Sequence, residues 1–295
     1  MSQKLNFPKL LGIGMTFISL SIAGCSKDST EVTENNGSVE KLSVNKTMSA
    51  SAAAQVWPSN INTQFNHPDG TYDYNEASAD FGGGTLTGWN SDRAWISGNS
   101  ARATLMPNSV SNGLISELDL SDGSAYEATY TVRFHSTFDW SRGGKVGFGF
   151  LIGEGNTGCD IASDGNGGSF RLMWYNNNGR VYFQPYVYHK DMAGPCGDDF
   201  GKSYPASGSL VKGQTYTVHM YAKSNTGSNK DGWIQLQING TYVINQAIRW
   251  TTNDAQRLIK RLSFHNFRGG KDVGVWGSSQ TSYIYFDNLV VNKIQ

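Results

Sequence analysis

Ser169-Phe-Arg-Leu-Met-Trp-Tyr175, Asn176-Asn-Asn-Gly179 and Arg180-Val-Tyr-Phe-Gln-Pro-Tyr-Val-Tyr188 follow one another in the chain, and their alternation reads as a β-hairpin closed by an Asn/Gly turn. Side chains alternate across a strand, so Phe170, Leu172 and Trp174 share one face and Ser169, Arg171, Met173 and Tyr175 the other. The first set is core. The same parity turns Val181, Phe183 and Val187 inward and sets Tyr182, Gln184, Tyr186 and Tyr188 outward, giving a face of hydroxyls, amide and guanidinium.

The neighbouring run Lys145-Val-Gly-Phe-Gly-Phe-Leu-Ile152 divides in the same way. Val146, Phe148, Phe150 and Ile152 belong inside, while Lys145, Gly147, Gly149 and Leu151 lie outside. A lysine followed by glycines makes a shallow floor for an extended polymer, and Lys145 and Arg171 give that floor fixed positive charge for carboxylates. Similar runs occupy residues 125–134, 215–222, 233–238, 262–267 and 283–291, with Gly, Asn, Ser and Asp clusters between them. The pattern predicts an all-β fold, a sandwich of two antiparallel sheets with a concave substrate groove. Residues 253–260 read as a short helical turn at the surface. No internal repeat, TIM-barrel alternation or dinucleotide-binding pattern is present.

The 24 basic residues balance 24 acidic ones. The whole-chain field therefore favours neither nucleic acid nor an anionic membrane surface, and any anionic ligand must be met locally. Lys4 and Lys9 precede an apolar run, residues 10–22, too short to span a membrane; residues 1–24 read as a signal peptide. The run ends in Ile22-Ala23-Gly24-Cys25, which resembles the lipobox of bacterial lipoproteins. Cys25 is then the lipidated first residue of an exported protein held to a bacterial membrane, at the outer membrane or cell surface, by its lipid alone. Residues 25–59, rich in Ser, Thr, Asn, Glu and Ala without apolar periodicity, read as a tether. Residues 60–295 read as one domain. Cys159 and Cys196 remain after the anchor, and an oxidising compartment pairs them in a disulfide between two loops. A zinc site needs further Cys or His ligands at short spacing. Asp160, Asp164 and Asn166 sit in a Gly-rich loop, but not at the spacing of an EF-hand calcium loop. No metal or cofactor is expected.

Phe138-Asp-Trp-Ser-Arg-Gly-Gly-Lys145, Ser169-Phe-Arg-Leu-Met-Trp and Tyr186-Val-Tyr188 together resemble the core of the family 14 polysaccharide lyases and their glucuronan-lyase relatives, which are β-jelly rolls. Phe264-His-Asn-Phe-Arg-Gly-Gly270 and Tyr283-Ile-Tyr-Phe-Asp-Asn288 resemble that family's last strands. The resemblance runs roughly from residue 125 to 291. It implies cleavage of a uronic-acid polymer, of alginate or glucuronan type, by β-elimination. By the family's pattern the GGK lysine falls on Lys145, the serine and arginine on Ser169 and Arg171, and the Tyr-x-Tyr pair on Tyr186 and Tyr188. The insertion at 153–168 and the Cys-bearing loop after His189 depart from the pattern and bear on substrate choice.

Elimination beside a carboxylate requires a base for the C5 proton, neutralisation of charge on the carboxylate, and an acid for the leaving oxygen. The expected roles are Tyr186 or Tyr188 as base or acid, Lys145 as electrostatic stabiliser or proton donor, and Arg171 as carboxylate clamp. A phenol, with an unperturbed pKa of about 10, must be lowered by adjacent cations to act as a base. Ser169, Gln184, Tyr182, Tyr175 and His135 are the expected substrate-binding residues, His135 because it closely precedes the GGK segment. His189 and His265 read as packed histidines. A paired-carboxylate glycosidase needs two acids inside the groove, and none is found there. The competing class is a non-catalytic carbohydrate-binding lipoprotein on the same jelly roll. Stacking aromatics such as Trp250 or Trp276 would dominate such a site. Either way the partner is an acidic polysaccharide, and the protein is expected to act as a monomer.

Overall fold

Period-two alternation of apolar and polar side chains produces sixteen strands in a computed structural model that describes residues 55–295. In chain order the elements are β1 (Asn60–Thr63), β2 (Gly70–Thr71), α1 (Tyr74–Asp80), β3 (Leu86–Thr87), β4 (Ala94–Ile96), β5 (Ala101–Leu105), β6 (Leu114–Gly123) and β7 (Ala125–Phe134). There follow β8 (Gly143–Lys145), β9 (Phe148–Gly153), β10 (Gly167–Asn177), β11 (Arg180–Tyr188), β12 (Thr215–Lys223), β13 (Gly232–Ile238), β14 (Thr241–Ile248), β15 (Ile259–Arg268), α2 (Val273–Trp276) and β16 (Ser282–Lys293). All pairings are antiparallel. A seven-stranded sheet runs β11-β10-β8-β15-β6-β3, with β9 following β8 in the same slot between β10 and β15. A nine-stranded sheet runs β14-β13-β12-β7-β16-β5-β4-β2, with β1 also on β16. We call the first the cleft sheet and the second the back sheet. Two such sheets packed face to face make the β-jelly-roll sandwich the sequence predicts.

The inward residues of both sheets interdigitate as one aromatic core. Phe148 stacks on Phe264 with centroids 4.3 Å apart, and Tyr130 meets Phe148 edge-on at 5.1 Å. Towards the other end Phe134 packs edge-on against Phe138 at 4.7 Å and Trp140 at 4.6 Å. The register of the 169–188 hairpin follows its turn: Arg171 pairs with Tyr186, Met173 with Gln184 and Tyr175 with Tyr182. The run 145–152 is broken into β8 and β9 at Gly147, whose φ of +81° and close approach to the Tyr130 ring exclude a side chain.

Expectation and structure differ at three places. Residues 253–260 form a single 3₁₀ turn, Asp254–Gln256, and then pass directly into β15. The segment before residue 123 and the run 241–248 contain strands beyond those the alternation predicts, among them the ten-residue β6. The folded part also begins before β1, since Pro58 is buried and its carbonyl accepts from Ser121 N at 3.0 Å. The expected signal peptide, the lipidation residue Cys25 and the tether through residue 54 lie outside the described residues. Among those described, no helix is long and apolar enough to cross a membrane.

Candidate active site

Where β8, β10, β11 and β15 lie side by side, their outward residues fall into register: Met173 pairs with both Gln184 and Lys145, and Lys145 with Phe267. One strand-step away, Arg171 stands beside Tyr186. Of these, Lys145, Phe267, Arg171 and Tyr186 line a cleft of about 380 Å³ that also takes in Thr157, Gly158, Cys159, Ser111, Gly270 and Lys271. Gly149 gives Arg171 its room, because a side chain there would press on the Arg171 stem and the Phe170 carbonyl. The missing side chains therefore seat a cation, where the sequence suggested an empty floor.

Lys145 and Arg171 retain only 7 % and 4 % exposure. Neither has a carboxylate within ion-pair distance among the described residues. The Lys145 Nζ lies 3.6 Å from the centre of the Tyr186 ring and 4.0 Å from Met173 Sδ. Burial, reinforced by the charge of Arg171, pulls the Lys145 pKa down to about 7. Burial also pulls Arg171 below its usual value, with Tyr188, Tyr186 and Glu117 acting against it, but a guanidinium remains charged at neutral pH. Its Nε and Nη2 are buried with no acceptor among the described residues. Two donors on Arg171 are thus left without a protein acceptor.

The tyrosines behave differently from the expectation. Burial and Tyr188 raise the Tyr186 pKa further than Arg171 lowers it, so its phenol keeps its proton at neutral pH. Tyr188 is fully buried, and its hydroxyl accepts from Cys159 N at 2.8 Å beneath the wall of the cleft. Ser169 is buried as well and donates to the Asn156 carbonyl at 2.7 Å. Both residues hold the 154–159 loop in place. That loop is further fixed by the Cys159–Cys196 disulfide, which the structure contains.

Gln184 joins the site, with Nε2 3.9 Å from Met173 Sδ. Tyr175 and Tyr182 pair further along the same face, towards the hairpin turn. The Tyr175 hydroxyl accepts from Arg142 Nε at 3.0 Å, and the Tyr182 ring lies 4.4 Å from the Arg180 guanidinium. His135 is not brought to the cleft. It directly follows β7 of the back sheet, where its ring lies near Tyr283 and Tyr285, because the residues 136–142 carry the chain across to the other sheet before Gly143. Nearness in sequence to the GGK segment did not mean nearness in space.

The site also includes His265, which the sequence read as a packed histidine. By parity on β15, Ser263, His265 and Phe267 share the outward face, and that alternation was the signal available. His265 Nε2 lies 3.6 Å from Glu117 Oε1, and neither ring nitrogen has a hydrogen-bond partner among the described residues. Burial holds His265 below its ordinary pKa despite Glu117. For Glu117, burial alone would raise the pKa, but His265 and Arg261 outweigh it and keep the carboxyl low. His189 is packed as expected, stacked on Phe200 at 5.3 Å and bonded to Asp198 at 3.1 Å. In the 153–168 loop, Asp164 accepts from the Asn166 backbone and side chain. A second recess, of about 420 Å³, lies on the back sheet, but Glu127 and Asp231 offset its Lys223. It lacks the unpaired buried cations of the cleft.

The chain matches the family polysaccharide lyase 14 over residues 108–289. It belongs to that family. The protein is therefore a polysaccharide lyase, and the reading as a non-catalytic binding protein falls away. Among solved structures, the alginate lyase Aly36B is 59% identical, covers 81% of this chain and 99% of its own, and superposes with a TM-score of 0.79. A doubly alanine-substituted variant of Aly36B holding an alginate tetrasaccharide is 57% identical with the same coverage and TM-score. The PL-14 alginate lyase from Aplysia kurodai, 20% identical over 82% of this chain and 100% of its own with a TM-score of 0.58, shares the fold. Exolysin of Paramecium bursaria Chlorella virus 1 is 25% identical over 198 residues, 59% of this chain; the lyase spans 30% of Exolysin's length.

Proposed function

We propose that this lyase cleaves alginate by β-elimination, with Lys145 as the proton-transfer group and Arg171 as the carboxylate clamp. The observation that carries the reading is a lysine poised near neutrality beside a guanidinium with two buried, unclaimed donors in one cleft. The Arg171 donors take the uronate carboxylate and stabilise the negative charge that develops when C5 loses its proton. The neutral amine of Lys145 abstracts that proton, the C4–O4 bond breaks, and the resulting ammonium returns a proton to O4. Tyr186, protonated at neutral pH, donates a hydrogen bond to the leaving oxygen. Gln184 and His265 add neutral contacts to the carboxylate, and Tyr175 and Tyr182 extend the cleft along the polymer.

The alginate lyases at 57% and 59% identity support alginate over glucuronan. A single group that takes H5 and returns a proton to O4 works on one face of the sugar. H5 and O4 share a face in mannuronate and oppose each other in guluronate, so mannuronate blocks are the preferred substrate. The test is incubation with mannuronate-rich and guluronate-rich alginate and with glucuronan, following the ultraviolet absorbance of the unsaturated product. Faster cleavage of mannuronate blocks is expected, and no absorbance with any of the three would overturn the reading. The same proposal places the protein outside the cell on a lipid at Cys25, as a monomer. Mass spectrometry of membrane-extracted protein should find a diacylglyceryl group on that residue.

A further inference from the structure

The back sheet carries a row of residues that neither the fold nor the cleft uses. In register across four neighbouring strands stand Trp95, Arg102, Tyr285 and Arg133. The Arg102 guanidinium lies 5.3 Å from the Trp95 ring and 4.7 Å from the Tyr283 ring, and that of Arg133 lies 4.3 Å from the Tyr285 ring. His135 closes the group against Tyr283 and Tyr285 at 5.9 and 6.1 Å. Among the described residues neither arginine forms an ion pair or a side-chain hydrogen bond, and the Arg102 Nε is buried without an acceptor. Asp287, the next outward residue on β16 after Tyr285, lines a recess with Arg133 but forms no ion pair among the described residues. Two strand spacings separate Arg102 from Arg133, about 10 Å, with an aromatic ring between them.

Rings that hold a guanidinium order it before any ligand arrives and leave its N–H groups to bond carboxylates. A ligand matching this row has carboxylates at repeated intervals and apolar C–H faces between them to lie on the rings. We propose that the row is a second, non-catalytic binding strip for an acidic polysaccharide, on the sheet opposite the cleft. It holds a second stretch of polymer, so that the two sites together retain the lyase on long chains more tightly than the cleft alone. The choice of alginate as the probe rests on the proposed function; the strip itself does not.

Retention on alginate, measured by affinity electrophoresis of the full chain in alginate-containing gels, tests this. Lys145→Ala serves as the parent so that the polymer stays intact, and Arg102→Ala/Arg133→Ala is added to it. The added pair should weaken retention by about 10-fold, as expected for two partly exposed charge contacts. In the active protein the same pair should leave turnover of an alginate tetrasaccharide unchanged, because so short a substrate cannot occupy both faces of the sandwich at once. Arg133→Glu alone, a change at a half-buried surface position, should also weaken retention and covers the case of a double variant that fails to fold. Equal retention by parent and variants, or equal retention of the parent on an uncharged glucan, overturns the strip. If the active protein cleaves no uronate polymer while the variants still lose retention, the proposed function fails and the strip stands.

Discussion

The two outward faces of the sandwich use the same side-chain types to opposite ends. On the cleft sheet Lys145 and Arg171 are sunk below the rims of two loops and meet no carboxylate. On the back sheet Arg102 and Arg133 lie half-buried against rings at the surface. Withdrawing a cation from water without a partner disfavours its charged form, and that is why Lys145 sits near neutrality. A ring at an open surface gives a guanidinium a place while leaving part of it in water. Binding a polyanion thus needs only charge and rings, whereas moving a proton needs a cation the fold has made reluctant to stay charged.

The strongest way to break this contrast is to remove the reluctant cation. Lys145→Ala should lose about 1000-fold or more in turnover while keeping the fold, within the usual range for a proton-transfer group. Initial rates together with far-ultraviolet circular dichroism check it, and a variant retaining a tenth of the parental rate would move proton transfer elsewhere. In the parent, kcat/KM should rise with pH through about 7 as Lys145 loses its proton. Next in size comes the clamp. Arg171→Ala should cost roughly 2–4 kcal/mol of transition-state stabilisation, about 30- to 1000-fold in kcat/KM. Arg133→Ala, the same change on the back sheet, should leave cleavage of short oligosaccharides untouched.

The contrast sharpens further in stability. Unfolded, Lys145 titrates near ~10.4; folded, it titrates at about 7. Below pH 7 it is charged in both states, and the folded state carries the full cost of burying that charge. Between pH 7 and about 10 the folded protein has released a proton that the unfolded chain still holds, so the cost shrinks as pH rises. Lys145→Met should therefore stabilise the protein at pH 6, by on the order of 3 kcal/mol, and distinctly less at pH 9. Urea unfolding at the two pH values measures this, and equal gains at both would mean that the lysine is not desolvated.

The fold was legible because its inner residues alternate with unusual regularity. Phe170, Leu172 and Trp174 against Val181, Phe183 and Val187 define a hairpin and its inward face at once, and all six are buried. The strands of residues 60–123 were harder to read, being short or, in β6, carrying acidic and seryl residues on the outward side. Parity also brought Lys145, Arg171, Gln184 and Tyr186 together correctly, because same-face neighbours on adjacent strands need only a register. It could not tell an open position from a covered one. Tyr188 shares the parity of Tyr186, yet the disulfide-bearing loop lies over it, and nothing local to Tyr-Val-Tyr announces that loop. Depth was likewise hidden. The downward shift of Lys145 and the upward shift of Tyr186 come from burial by distant segments, so the sequence could set the two side by side but could not show how differently each holds its proton.

The smallest expected effect separates that pair. Tyr186→Phe keeps the ring that lies 3.6 Å from the Lys145 ammonium, and so keeps the cation–π contact and the apolar cover over the site. Only the hydroxyl is lost. Burial and Tyr188 hold that hydroxyl protonated across the neutral range, so in the proposed mechanism it donates a hydrogen bond to the leaving oxygen and the base is Lys145. Losing one such donor should lower kcat by about 10-fold with little change in KM. The rise of kcat/KM through about pH 7 should stay where it is, because it belongs to Lys145. Tyr285→Phe, the matching change on the back sheet, should leave both kcat and the pH profile alone on short substrates. A Tyr186→Phe variant that lost 1000-fold in turnover, or whose pH limb moved away from about 7, would return the base to the tyrosine.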